Sequence, residues 1–384
     1  MKRILLLGII IILLGFNTIH AQTDTTKKNP FSFEATYLGD FFYNFSGGIK
    51  QGATFLGMAN IKIGFNTEDA GLWKGGELFL NAANTHGGDP SATFIGDYQV
   101  ASNIEAEDLT YVHELWLKQS FGKASFIIGL QDLCAEFISS NYAGLFLNSS
   151  CGVHSTVASN FSVPIFPLTA IGAQFHYDFS PRFSLKVAAF DGVPDDFSFN
   201  KHNLKWDLKK EEGYLLFTQL SHHNTNATKP GTYKLGFYYH NPYTITTQDE
   251  DGLITSEKYS ENYGLYLIID QIIYKSQSGK SLAFFLQSSV SPKWINENWY
   301  FVGGGLHLTG MFSKRMDDEL GIAVAHAGIN NALGSETTLE ISYKAPFGDH
   351  FFLQPDFQYI INPAGTEEIL DNSFVGFIRL GLSF

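Results

Sequence analysis

The 384-residue chain carries 38 acidic against 25 basic side chains, a formal net charge of −13, and only 16% charged residues, against about 25% in an average soluble domain. That acidity excludes a nucleic-acid partner, which calls for a basic face, and the 44% hydrophobic content excludes disorder. With 35 Phe, 18 Tyr and 37 Gly, the composition favours strands joined by turns over helices, which glycine weakens.

Taken in chain order, the first element is a leader. Lys2 and Arg3 precede an apolar run from Ile4 to Gly15, and Ala21 stands before Gln22. A basic start, a short apolar middle and a small residue at the cut form the layout of a secretory signal peptide, predicted as residues 1–21. A run of about a dozen apolar residues falls short of the roughly 20 needed for a membrane-spanning helix. No cysteine stands at the cut to carry a lipid. Removal of the leader takes away Lys2 and Arg3 and moves the net charge from −13 to −15. No later stretch approaches the 18 consecutive apolar residues of a transmembrane helix, which leaves a soluble β protein or a transmembrane barrel, and the periodicity decides between them.

Alternation of apolar and polar residues predicts strands at 31–44, 53–66, 75–84, 107–120, 123–130, 166–178, 181–190, 212–222, 232–242, 260–274, 280–290, 297–311, 319–328, 336–346, 349–361 and 373–384. In the last of these, Phe374, Gly376, Ile378, Leu380, Leu382 and Phe384 form one face, and Ser373, Arg379, Gly381 and Ser383 the other. Leu339, Ile341 and Tyr343 against Glu340, Ser342 and Lys344 repeat the pattern, as do Leu185 and Val187 against Ser184 and Lys186. Such dyad repeats of about ten residues are the signature of membrane strands, and bacterial single-chain barrels have an even strand number.

The connections sort by length. Those at 85–106, 131–165, 191–211, 243–259 and 362–372 are long, whereas 120–123, 179–181, 275–279 and 346–349 are short. An up-and-down barrel with large outer loops and tight periplasmic turns produces this alternation, and a β-sandwich does not. The fold class expected is therefore an all-β, antiparallel, transmembrane up-and-down barrel of about 16 strands, forming one domain over 22–384. The terminal Phe384, on the lipid-facing parity, agrees.

A series of motifs runs in order along the chain: Asn84-Thr85-His86-Gly87-Gly88-Asp89-Pro90-Ser91, Ile95-Gly96-Asp97-Tyr98-Gln99, Ser102-Asn103-Ile104-Glu105-Ala106, His113-Glu114-Leu115-Trp116, Gly129-Leu130-Gln131-Asp132-Leu133, Phe166-Pro167-Leu168-Thr169-Ala170, Phe190-Asp191-Gly192 and Gln354-Pro355-Asp356-Phe357-Gln358-Tyr359. Together they resemble the carbohydrate-selective outer-membrane porins of the OprB type. The resemblance implies a 16-stranded porin in the outer membrane of a Gram-negative bacterium, with loops near 85–106 and 131–165 folded inward as constrictions and sugars as its solutes. Cys134 stands where the family tends to have Asn, and Asp195 where a glycine is expected after Pro194, so the substrate preference does not carry over.

A sugar channel needs hydrogen-bonding groups and aromatic platforms in a narrow throat. The candidates are Asp97, Asn103, Glu105, Asp132 and Glu136 in the loops, Trp116 and Asp191 at strand ends, and Arg379 on the last strand. Asp89-Pro90 reads as a turn. Parity sets Trp116 with Glu114 and Lys118 on the lumen side, an interfacial belt position being the alternative. Arg182 and Lys186 are further lumen charges by parity. Cys134 and Cys151 lie 17 apart in the longest loop, a candidate disulfide in an oxidising compartment, with free buried thiols as the alternative.

Enzyme and metal motifs are poor. Leu117 occupies the place where a zinc-protease helix after His113-Glu114 needs its second His. His222-His223 and His86 lack ligand spacing, Gly303-Gly304-Gly305 lacks the Lys-Ser of a phosphate loop, and no Gly-x-Ser-x-Gly elbow is present. No catalytic residue, metal or other cofactor is assigned. The function expected is passive, carbohydrate-selective diffusion, with sugars and outer-membrane lipid as partners and a homo-oligomer left open. The alternatives are a general or weakly cation-preferring porin and, further off, a secreted sugar-active enzyme or lectin.

Overall fold

The period-two pattern builds a continuous wall. The computed structural model describes residues 28–384 apart from 210, 211, 242, 249–253, 260 and 313; the predicted leader, 1–21, lies outside the described residues. The strands are β1 (Phe31–Ser46), β2 (Gly52–Asn66), β3 (Gly76–Gly87), β4 (Leu109–Phe121), β5 (Ala124–Gln131), β6 (Ala170–Ser180), β7 (Phe183–Asp191), β8 (Tyr214–Asn224), β9 (Gly231–Asn241), β10 (Tyr243–Gln248), β11 (Ile254–Tyr259), β12 (Asn262–Lys275), β13 (Ser281–Val290), β14 (Asn298–Thr309), β15 (Glu319–Ile329), β16 (Ser335–Phe347), β17 (Phe351–Ile361) and β18 (Ser373–Ser383). Sixteen of them close into one antiparallel barrel in which β1 meets β18, with Asp40 opposite Arg379. Closure leaves no bare sheet edge, which membrane-spanning strands require.

Every one of the sixteen predicted segments is a barrel strand, displaced at its ends by a few residues. The hairpin of β10 and β11, a separate two-stranded sheet, falls within the stretch 243–259 that reads as a loop. Its Thr- and Tyr-rich runs have strand propensity without the apolar face that marks the wall.

The two faces of the wall are as the alternation sets them. Phe374 and Ile378 on β18, Leu339 and Ile341 on β16, and Val187 on β7 are exposed on the outside, while Ser373, Val375, Phe377 and Arg379 are buried within. No helix among the described residues is long and apolar enough to cross a membrane; the strands supply the apolar band.

Between β5 and β6 the chain leaves the wall and turns into the lumen as short helical turns, Leu133–Glu136, Ala143–Leu145, Ser149–Gly152 and Ser155–Ala158. Leu133, Phe137, Ile138 and Val157 of this segment pack with Phe190, Phe217, Tyr238, Tyr266 and Ile268 of the inner wall. One side of the barrel thus has a packed apolar core.

The glycines make room for its rings. Gly264 faces Tyr238 and Gly236 faces Tyr266 across the β9–β12 ladder, and a Cβ at Gly264 would lie 2.2 Å from Tyr238 Oη. The tyrosine rings lie flat over backbone that has no side chain, a pairing that stabilises glycine in sheets. Replacement Gly264→Val is expected to destabilise the barrel by about 1–3 kcal/mol through overpacking, read as a lower temperature for loss of the heat-modifiable gel band; an unchanged temperature would contradict this packing.

Candidate functional site

The interior is organised by acids of the wall that hold loop backbone. Glu340 accepts from Leu147 N (2.5 Å) and Asn148 N (3.3 Å). Asp270 accepts from Ser140 Oγ (2.5 Å) and Asn141 N (2.9 Å). Glu336 accepts from Tyr98 N (2.7 Å), Gln99 N (2.9 Å) and Ala364 N (2.9 Å), tying the loops after β3 and β17 to the top of β16. Wall amides complete the set from the donor side: Gln354 Nε2 to Leu145 O (2.6 Å), Gln287 Nε2 to Cys151 O (3.1 Å) and Gln358 Nε2 to Ala101 O (2.8 Å). Buried loop backbone must find partners, and here the barrel wall provides them.

With one side filled, the open space is eccentric. A cavity of about 510 Å³ is bounded by β1–β4 and β16–β18 on the wall side and by the loops after β3 and β5 on the other. Its lining includes Thr36, Asn60, Lys62, Asn81, Asn103, His113, Glu114, Asp132, Phe166, Lys344, Phe352, Gln354 and Arg379. A register shift opposite Asn81 and Ala82 lets the neighbours His113 and Glu114 both reach this space, which strict alternation forbids.

The charges facing the cavity are largely paired. Arg379 donates to both Asp40 oxygens (2.7 and 2.8 Å), and Ser102 Oγ also donates to Asp40 (2.7 Å). Lys62 meets Glu34 at 2.9 Å, Asp132 meets His113 at 3.1 Å, and Lys344 Nζ sits 4.7 Å above the Phe352 ring. Trp116 Nε1 donates to Glu114 Oε1 (3.2 Å), and its ring stacks on Phe79 at 4.8 Å.

Of the residues predicted from sequence, Asn103, Asp132 and Arg379 line the cavity, and Trp116 adjoins it through Glu114. Glu136 is tied to Lys186. Three depart from the expectation. Asp97 is buried near the top of β16, and Glu105 accepts from Ser91 N and Oγ (3.0 Å each). Asp191 ends β7. None of the three belongs to the lining of this cavity; Glu105 fixes the loop at Ser91, because solvent-poor loop interiors need acceptors as much as a throat does. Arg182 lies exposed in the turn between β6 and β7. The expected Cys134–Cys151 bridge is not formed; both thiols are free. Cys134 Sγ turns to Gly152 O (3.6 Å), and Cys151 packs with Phe146 and Phe285.

Residues 50–384 match the carbohydrate-selective porin, OprB family. The chain belongs to that family. It is 22% identical to Porin B of Pseudomonas aeruginosa over 414 residues, covering 94% of this chain and 89% of that protein. The fold matches a high-pH structure of OprB from Pseudomonas putida with TM-score 0.82 at 19% identity, covering 92% of this chain and 94% of that one. OmpT of Vibrio cholerae has the same kind of barrel, with TM-score 0.56 and 9% identity over 94% of this chain and 100% of that one. The protein is an outer-membrane porin of Gram-negative type, its strands crossing the bilayer.

Sequence reasoning missed Asn60, Asn81 and His113 as cavity residues and Glu336 and Glu340 as loop holders. Parity alone marked the wall residues as lumen-facing; which of them meets a loop depends on contacts such as Leu147 to Glu340, 193 residues apart.

Two outcomes follow for this porin. Glu340→Ala leaves the Leu147 and Asn148 amides without their acceptor, a loss of about 1–3 kcal/mol. Amide exchange across 143–152 is expected to speed up and single-channel current to become noisier; unchanged exchange would refute the clasp. The loop after β3 is expected to respond to pH. Burial pushes Asp97 up to about 6 and, with the hydrogen-bonded Asp89 beside it, Glu105 up to about 10. A raised carboxyl binds its proton more tightly folded than unfolded, so its contribution falls as pH climbs from about 4 toward the folded value. Asp89 is held low by Glu105 and works in the opposite sense below pH 4. Exchange of residues 91–105, corrected for intrinsic rate, should therefore rise between pH 4 and 8, and Glu105→Gln should flatten the rise; a flat profile in the parent protein would contradict it.

Proposed function

We propose that small neutral sugars pass this porin by passive diffusion through the eccentric cavity, narrowed by the infolded loops near 85–106 and 131–165, without covalent chemistry. The carrying observation is that the cavity's cations are matched in place, Arg379 by Asp40 and Lys62 by Glu34, while Asn60, Asn81, Asn103 and Thr36 offer uncharged hydrogen-bonding groups. An ion entering meets compensated charge, whereas a polyol finds donors and acceptors in a throat whose lining sets selectivity.

Aromatic surface adds a second element. Phe166 and Phe352 line the cavity and the Phe79–Trp116 stack adjoins Glu114, so the apolar face of a sugar ring can rest on carbon while its hydroxyls bond to amides. Diffusion in both directions requires weak binding, since a solute held tightly would not leave. Family membership supports the same solute class.

Single-channel conductance of detergent-purified protein in a planar bilayer tests this. Monosaccharides or disaccharides are expected to reduce the current in a concentration-dependent way, and Glu114→Gln to raise the half-blocking concentration about tenfold, as for loss of one charged hydrogen bond. Steady current at every sugar concentration would overturn the proposal.

A further inference from the structure

The upper part of β4 has no strand partner on its β5 side. Pairing ends at Leu115 opposite Leu130, because the chain leaves the wall after Gln131 for the lumen. The loop between β7 and β8 covers the vacant edge. It passes back over β6 and β5, so that Val112 N donates to His202 O (3.1 Å) and His202 Nδ1 lies 2.6 Å from Thr110 O. Asn203 Nδ2 donates to Thr169 Oγ1 (2.9 Å), which donates to His113 O (2.6 Å). The loop supplies the missing edge partner in the manner of an added strand and so becomes part of the barrel's circumference.

Its two faces then have different surroundings. Asn200 and Asn203 are buried inward, whereas Phe199 (79% exposed), Leu204 (60%), Leu208 (69%) and Trp206 (39%) project outward. Trp206 Nε1 donates to Asn203 O at 2.9 Å, which holds the indole against the loop. Lys201 and Lys205 are exposed on the same stretch of this acidic chain and outnumber the exposed Asp207 between Trp206 and Leu208, while Lys209 is committed to Asp195 and Glu212.

We propose that this loop is a lipid-anchoring patch at the outer rim, with Phe199, Leu204, Trp206 and Leu208 seated at the boundary of headgroup and acyl chain and Lys201 and Lys205 on phosphate-bearing headgroups of the outer leaflet. The loop closes a gap in a wall whose outward residues, such as Leu115 and Ile128, already face lipid, and its exposed apolar side chains continue that surface. Tryptophan with cationic neighbours is the composition that sits at a membrane interface, and cations near anionic lipid are drawn to it. The patch is separate from the solute passage.

The test uses the full chain in phosphatidylcholine vesicles, with and without phosphatidylglycerol, containing lipids brominated high in the acyl chain. The Trp206 contribution is the difference in emission between the parent protein and Trp206→Phe, both checked for the folded band on unheated gels. That contribution is expected to be quenched at least twofold by the brominated lipid and more strongly when phosphatidylglycerol is present, with the gain abolished in Lys201→Glu/Lys205→Glu. Quenching by aqueous iodide and not by brominated lipid would overturn the proposal. So would protection from both that tracks formation of a dimer or trimer, which would assign the patch to a second copy of the chain.

Discussion

Backbone drawn into a barrel lumen must be hydrogen-bonded, and the rest of this structure depends on how that need is met. Glu336, Glu340 and Asp270 project from the wall at points where loop amides arrive, and Gln354, Gln358 and Gln287 where loop carbonyls arrive. A wide 16-stranded cylinder would otherwise enclose an aqueous channel. Fastening two loops to the wall fills part of the lumen and leaves an eccentric cavity.

The filling is asymmetric for a reason that lies in the strands. Strands β7 to β9 and β12 present Phe190, Phe217, Tyr238 and Tyr266 inward, and the segment 133–163 answers with Leu133, Phe137 and Val157. Around the cavity, strands β1 to β4 and β16 to β18 present Asn, Lys, Glu, Gln and Arg instead, while nearer the loop end Phe42, Leu56, Val375 and Phe377 pack on Ile95, Ala101, Ile104 and Leu147. Apolar burial places the loop; the polar sector is left open as the cavity that the proposed function takes as its route. Glu336, Glu340 and Asp270 are thus fasteners, and the cavity itself is lined by matched charges and amides.

The strands were legible because a half-buried ladder leaves a period-two trace, and the C-terminal segment from Ser373 to Phe384 showed both faces in full. The inward loops were legible as long connections on one end of the barrel. Their partners were not. Asp97, Glu105 and Asp132 have the same chemistry in sequence, yet only Asp132 meets the cavity, since a loop acid's role is set by residues distant along the chain. The one-residue register shift at His113 is also invisible to alternation, and with it the inward turn of His113 beside Glu114. Cys134 and Cys151 are near in sequence, but local helical turns aim one at a carbonyl and the other into an aromatic cluster.

Swelling of protein-loaded liposomes in a graded series of solutes reads whether the fastened loops leave a narrow passage with compensated charge. Such a passage gives fast entry of monosaccharides, a steep fall toward trisaccharides, and slower entry of a sugar acid than of the neutral sugar of equal size. A gradual decline with size and equal rates for charged and neutral solutes would show an open, unselective barrel and contradict it.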